Sequence, residues 1–354
     1  MGVYRFLKLS ATALKSNFSR LEKPFKLTFS ITYWCQSRCL TCNIWQIKPK
    51  GELSLEEITE FSKNNNFFKW IEITGGEPFM RTDILEIVKV FHENCKNLYV
   101  LTMPTNSLCS KEMVLNKIRG MLELGIPRVV ITLSLDGYGE LHDQIRGVKG
   151  NFSKVMEMAK ALHEMESSYR NLSFVFGYTM SKYNQGRLME TYKKVKEELG
   201  FVTPNMFHIN LGQISDIYYR NSGSEIRPEN LAASREIAEF IKLRRLSLDP
   251  VQIIESAFLK KLSKYALDGK APMKSRSLDL SLFLDSYGNV YPSIMWGRKI
   301  GNIRQTGYDI MPIWNSDDAN EVRRLIKEGK EPSAWTSCEA YQTIVGNIGS
   351  LLFS

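Results

Sequence analysis

Three cysteines stand at the spacing C-x3-C-x2-C (Cys35, Cys39 and Cys42) directly after the apolar run Phe29-Ser30-Ile31-Thr32-Tyr33-Trp34. Thiolates are soft ligands that suit iron–sulfur clusters or zinc. A four-iron cluster normally takes four thiolates, so three from one short loop leave one iron open to a ligand. No further Cys or His lies nearby, and a closed structural zinc site is therefore the poorer alternative. A second stretch, Lys69-Trp70-Ile71-Glu72-Ile73-Thr74, leads into Gly75-Gly76-Glu77-Pro78. Paired glycines let a backbone come close to a ligand with no side chain between them. A third runs Ser134-Leu135-Asp136-Gly137 and then His142-Asp143-Gln144-Ile145-Arg146-Gly147. Arg146 suits carboxylate recognition, because its planar fork binds bidentately and keeps its charge. Taken alone, Asp136-Gly137 reads as a strand-ending turn.

Short β-rich runs alternate with longer helical ones, which predicts βα units and a parallel sheet. Strands are predicted over 27–33, 70–74, 98–103, 129–135, 174–180 and 206–211. Ser54, with Glu57 three residues on, predicts a capping box at the start of the first intervening helix. Further helices are predicted near 82–94, 110–123, 152–166, 185–199, 228–245 and 251–267. Beyond residue 270 the texture changes to a hairpin, 278–285 returning over 290–292, and helices near 318–328 and 337–345. This divides the chain into a basic amphipathic segment (1–26), an α/β unit (27–245) and a small α+β C-terminal region (246–354).

In this order and spacing the motifs resemble the radical S-adenosylmethionine (radical SAM) superfamily, with its cysteine loop after the first strand and GGEP after the second. The Ser134-to-Arg146 string resembles the subgroup with SPASM or twitch C-terminal extensions. The resemblance implies a partial (β/α)6, TIM-like barrel with its chemistry at the C-terminal mouth, where barrel enzymes place it. It implies a [4Fe–4S] cluster on Cys35, Cys39 and Cys42, with SAM chelating the open iron. Gly75 and Gly76 are expected to face the SAM ammonium, with Glu77 supporting that geometry and Pro78 stiffening the exit. Ser134 and Arg146 are expected at the SAM carboxylate beside Asp136, and Asn106 in the SAM pocket. Ser181 or Asn184 is expected at the ribose and Leu211 at the adenine. The implied reaction is reductive cleavage of SAM to a 5′-deoxyadenosyl radical, which takes hydrogen from an unactivated C–H bond. The electron would come from a flavodoxin or ferredoxin.

Two departures stand out. Position 41, commonly aromatic in the family, is Thr41, and Trp45 is the candidate to cover the cluster instead. Residues 274–293 resemble the start of a SPASM/twitch region, yet Ser275 or Ser277, Ser293 and Ala334 stand where cysteines are expected. Only Cys338 remains, so no auxiliary cluster is expected, since Ser and Ala cannot replace thiolates.

Of the other cysteines, Cys95 and Cys109 have no partner motif, and six in a chain of 354 residues point to metal ligation in a reducing cytoplasm rather than to disulfides. No apolar run is long enough for a membrane helix, and neither a signal peptide nor a myristoylation pattern is expected. The net charge of +9 is concentrated in residues 1–26, where six Lys/Arg face the single acid Glu22. There Val3, Leu7, Ala11, Leu14, Phe18 and Leu21 recur at helical spacing. Such a helix either packs its stripe across the bottom of the barrel or lies on an anionic membrane. Nucleic-acid binding is not expected, for want of an Arg/aromatic module. The loop 213–220 carries Asp216 and Tyr218, candidates for substrate contact or for proton or hydrogen donation; His208 reads as a satisfied pocket residue. The substrate is expected to be a peptide or small molecule, with a membrane lipid as the alternative. A non-catalytic SAM- and cluster-binding protein is the rival of another class.

Overall fold

The computed structural model describes residues 2–349; residue 1 and residues 350–354, the ends of the N- and C-terminal regions, lie outside the described residues. Six parallel strands follow one another with helices between: β1 (Lys26–Thr32), β2 (Trp70–Gly75), β3 (Val100–Thr105), β4 (Arg128–Ser134), β5 (Leu172–Met180) and β6 (Phe207–Leu211). They lie in sequential order in one sheet. The sheet continues past β1 through β7 (Ser281–Leu284), which is parallel to it, and then β8 (Asn289–Tyr291) and β9 (Gly301–Asn302), which are antiparallel. This is an open, partial TIM-like barrel. The C-terminal region thus shares the barrel's own sheet through the β1–β7 pairing.

Burial alternates along the strands and separates two surfaces. On β4 and β5 the buried set, Val129, Ile131, Leu133, Phe174, Phe176, Tyr178 and Met180, belongs to the main hydrophobic core. The alternate set is smaller or polar: Glu72, Thr74, Thr102, Thr132, Ser134, Gly177, Thr179, His208 and Asn210 line the interior cavity. The capping box forms as expected, with both the Ser54 side-chain and Glu57 side-chain bonds present. In the β7–β8 hairpin, Asp285 accepts the Tyr287 and Asn289 N–H groups at 2.9 and 2.8 Å.

At the interior end of β1, Lys26 is fully buried. Its ammonium meets Glu72 at 2.8 Å, the Cys338 carbonyl at 2.6 Å and Gln342 Oε1 at 3.0 Å. One side chain thereby ties the barrel floor to the C-terminal helix Ser337–Val345. Burial works against ionisation of Glu72, but Lys26 and its other partners hold its carboxyl below the ordinary range.

Helix α1 (Gly2–Ser16) lies across the N-terminal ends of the strands: Arg5 Nη1 donates to the Leu98 carbonyl at 3.3 Å, and Phe6 packs on Tyr99. It does so the opposite way round from a core-packed stripe. Arg5, Ala13 and Ser16 face inward, whereas Val3, Leu7, Ala11, Leu14 and Phe18 are exposed; of the predicted stripe only Leu21, past the helix, is buried.

Candidate functional site

The motifs converge on one cavity of about 250 Å³ at the C-terminal ends of the strands, lined by Cys35, Cys39, Cys42, Gly75, Gly76, Glu77, Asn106, Ser134, Arg146 and Leu211 among others. The cysteine loop is held by its neighbours. Arg38 N and Leu40 N donate to the Arg146 and Ile145 carbonyls, both at 2.9 Å, while Asn43 N donates to the Tyr219 carbonyl at 2.8 Å. Asn221 Nδ2 holds the Thr41 carbonyl at 2.9 Å. At the loop's start Glu52 accepts from Tyr33 N at 2.6 Å and Thr32 Oγ1 at 2.9 Å. Trp45 lines the cavity under the guanidinium of Arg38, 4.8 Å from its ring.

Burial pushes the Cys35 thiol up to about 11 and Cys42 up to about 12, and it raises Cys39 against the opposing pull of Arg146. Metal binding must therefore displace protons from these thiols. Among the described residues no three His, Cys, Asp or Glu side chains converge as ligands of a single ion. Three thiols bordering a cavity instead of meeting at a point suit a polynuclear cluster better than closed zinc. The partly buried cation of Arg146 beside Cys39 (Nη1 to Sγ 3.8 Å) complements the negative charge of such a centre.

Gly75 and Gly76 serve the protein's own backbone. A Cβ on Gly75, whose φ is +134°, would lie 2.1 Å from the Thr32 carbonyl, and one on Gly76 would lie 2.1 Å from that of Trp34. The exits of β1 and β2 are laced together there, Gly76 N to Thr32 O and Glu77 N to Trp34 O at 2.8 Å each. Gly76→Ala is expected to cost about 3 kcal/mol through overpacking and to weaken SAM binding. Thermal melting and titration calorimetry check this, and an unchanged melt would mean that residues 32–34 can yield.

Arg146 meets Asp136 at 2.7 Å through Nε. Asp136 is buried, accepts the Thr179 N–H at 2.9 Å and does not line the cavity, so it positions the guanidinium from behind. Ser134 lines the cavity directly. Glu77, pushed up to about 7 by burial, accepts the Asn106 N–H at 2.7 Å and the Phe79 N–H at 3.2 Å, fixing the loop on which Asn106 sits. Asn106 Nδ2 donates to Ser37 Oγ at 3.0 Å, joining β3 to the cysteine loop. Pro78 is buried at the start of a 3-10 turn outside the cavity lining.

His142 accepts the Asp136 N–H on Nδ1 at 3.1 Å and meets Asn151 Oδ1 through Nε2 at 3.1 Å, which fits the neutral Nε2–H tautomer. Burial lowers its pKa from 6.5 to about 4. Between those values the unfolded chain binds a proton that the folded chain refuses, so stability falls as the pH drops through that window, by at most about 3 kcal/mol. Urea melts across this range are expected to show that slope, and His142→Asn to flatten it.

The structure does not bring every expected residue to the cavity. Asp216 is exposed and outside it. Tyr218 lines it, but its hydroxyl is engaged by Thr74 Oγ1 at 2.5 Å and by Gly75 N at 3.3 Å, and burial raises its pKa well above the usual phenol value. Ser181 and Asn184 are buried in a cap outside the lining, where Asn184 Nδ2 donates to the Asp136 and Thr179 carbonyls. His208 is satisfied by Glu255 at 3.0 Å and by Tyr341. Cys95 is buried core, and Cys109 accepts from Gln36 of the cysteine loop at 3.3 Å. The interior threonines, Thr336 and Ser337 join the lining without any motif to announce them, beside Gln213 of the loop 213–220 and the retained Cys338. The interior threonines' one sequence signal is a polar residue at every second position of otherwise apolar strands.

Ser275, Ser277, Ser293 and Ala334 do come together, around a separate cavity of about 20 Å³ with Glu331 and Glu339. Cys338 points elsewhere, to the main cavity.

Comparison with known proteins agrees with this geometry. Residues 29–195 match the family described as the radical SAM superfamily. The chain is 28% identical over 158 residues to the antilisterial bacteriocin subtilosin biosynthesis protein AlbA of Bacillus subtilis (strain 168), a match covering 43% of this chain and 34% of AlbA. It spans about a third to a half of the length of the curated relatives it matches first. Among solved structures, native anSMEcpe with bound AdoMet and Cp18Cys peptide superposes with a TM-score of 0.61 at 15% identity, covering 93% of this chain and 98% of that one. SuiB of Streptococcus suis bound to precursor peptide SuiA gives 0.59 at 15%, covering 95% and 74%. These last two similarities establish the shared fold. With its three thiols, glycine loop and Arg146 gathered at the mouth of a partial barrel, the chain carries over residues 29–195 a domain matching the radical SAM superfamily, whose enzymes work with a [4Fe–4S] cluster and SAM.

Proposed function

We propose that this protein is a radical SAM enzyme that modifies a peptide at an unactivated carbon, using one cluster per chain. The observation that carries the reading is the single cavity shared by the three thiols, the glycine loop, Ser134 and Arg146. Cys35, Cys39 and Cys42 would hold the cluster; Ser134 and the Asp136-braced Arg146 would orient a carboxylate beside it. Bound there, cluster and SAM supply a carbon-centred radical able to take hydrogen from a C–H bond. The chain itself binds, orients and shields: Trp45 and Tyr219 wall the site, and Tyr218 clamps the Gly75 loop. Tyr218 is also the better placed of the two candidate hydrogen donors, since Asp216 lies outside the cavity.

A peptide is favoured by the far wall. Gln213 is buried, its Oε1 held by Tyr265 OH at 3.2 Å, and its Nε2 has no hydrogen bond among the described residues. Thr336 Oγ1 is likewise buried without a partner there. Such groups are satisfied by the polar backbone of a peptide and not by a lipid tail. Proteins that share the fold are named with bound peptides, and AlbA is named for bacteriocin biosynthesis. A lipid substrate fits less well, because the basic helix α1 lies at the opposite end from the mouth. Neither the serines nor the alanine around the second cavity can bind iron as thiolates do, which supports the single cluster.

The test is to incubate the reduced, reconstituted enzyme with SAM and a library of peptides. The reading expects a peptide whose mass changes in step with 5′-deoxyadenosine formation, and loss of that coupling in Gln213→Ala. Coupling to a lipid and to no peptide would overturn the substrate assignment.

A further inference from the structure

We infer that the closed end of the barrel is a docking surface for an anionic membrane, made jointly by α1 and the segment that links the helices Asn230–Leu243 and Pro250–Asp268. This rests on surface features remote from the mouth, independently of what reacts there. A surface helix ordinarily turns its apolar stripe inward. Here the stripe is outward, with Phe18 84% and Val3 75% exposed and Tyr4, Leu7 and Leu14 each more than half exposed. Arg5 takes the inward place that a leucine would normally hold.

A second apolar patch adjoins it. Leu246 and Leu248 are essentially fully exposed, and Leu243 and Val251 are partly so. Adjacency follows from the geometry: a Cβ on Gly2 would lie 3.7 Å from that of Pro127, and the next residue, Arg128, pairs with Asp249 at 3.0 Å. Both patches therefore lie at the N-terminal ends of the strands and adjoin at the Gly2 end of α1, adding to the exposed apolar area there.

Charge identifies what covers it. Lys8 and Lys15 are exposed along one edge of the stripe, and Lys242 and Arg245 are exposed within the second patch. Apolar side chains reaching the headgroup boundary, backed by basic ones at the surface, are the two signals that hold a protein on anionic lipid. A second copy of this chain is the poorer occupant, because a two-fold interface would set these same cations against each other. No helix among the described residues is long and apolar enough to cross a membrane, so contact would be peripheral. Seated this way, the chain presents its mouth away from the membrane.

The experiment is co-sedimentation of the full-length protein with vesicles of phosphatidylcholine alone or mixed with phosphatidylglycerol. Binding is expected to the mixed vesicles only and to weaken as salt rises. The double variants Leu7→Asp/Phe18→Asp and Leu246→Asp/Leu248→Asp are each expected to lower binding more than tenfold. All four positions are exposed, so thermal melts and 5′-deoxyadenosine release should stay unchanged. No binding at low salt, or binding that neither variant weakens, would overturn the inference. So would a wild-type dimer that the same variants dissociate, since the surface would then belong to a second copy.

Discussion

Cys39→Ala protein is expected to retain close to no iron after reconstitution, against about four per chain in the wild type, and to release no measurable 5′-deoxyadenosine. Its thermal melt should barely move. The loop around Cys39 is anchored through backbone groups, Arg38 N and Leu40 N on the helix Glu140–Arg146 and Asn43 N on the Tyr219 carbonyl, none of which involves the thiol. The thiol itself lies by Arg146 Nη1 at 3.8 Å, a weak contact whose loss leaves the guanidinium still paired with Asp136. Iron analysis alongside the melt separates a lost ligand from a lost fold. A variant that keeps a full cluster would show that the C-x3-C-x2-C loop is not the ligand set.

Lys26→Met should have the largest effect on stability. The substitution leaves Glu72 charged in the interior and strips partners from the Cys338 carbonyl and Gln342. Removing one member of a buried ion pair typically costs about 3–5 kcal/mol, because the survivor stays desolvated. Adding Glu72→Leu should recover much of that loss, since paired apolar replacements in such sites are often neutral. Urea melts of the two single variants and the double variant measure the coupling. Equal losses for the double and the sum of the singles would mean that the pair does not act as a unit. Because Lys26 also holds the C-terminal helix, Lys26→Met should loosen the wall carrying Thr336 and Cys338 before the barrel itself melts.

The positions of the strands were legible to within a residue or two, because six β-rich runs alternate with helical ones and the motifs fall at strand ends. That the cysteine loop, Gly75-Gly76, Ser134 and Arg146 share one cavity was legible for the same reason: each lies at or beyond the end of a strand, and parallel strands bring their C-terminal ends together. The backbone packing that also demands these glycines was not. Their place at a ligand suggested a cofactor cradle, but the atoms a Cβ would strike are the carbonyls of Thr32 and Trp34, from a strand some forty residues earlier. Burial of Lys26 was equally hidden, since its partners Glu72 and Gln342 are far away in sequence. The orientation of α1 could not be read from its periodicity, which fixes that a stripe exists and not which way it faces. Arg5 decides it, through a hydrogen bond to Leu98 that no local pattern announces.

The most direct measurement is iron content with EPR of the anaerobically reconstituted, reduced protein, recorded with and without SAM and paired with 5′-deoxyadenosine release. The expected result is about four irons per chain, a cluster signal that changes when SAM is added, and slow 5′-deoxyadenosine formation. About eight irons would mean that a second cluster finds ligands other than Ser275, Ser293 and Ala334. No iron, or a cluster signal indifferent to SAM, would contradict the assignment of this cavity to radical SAM chemistry.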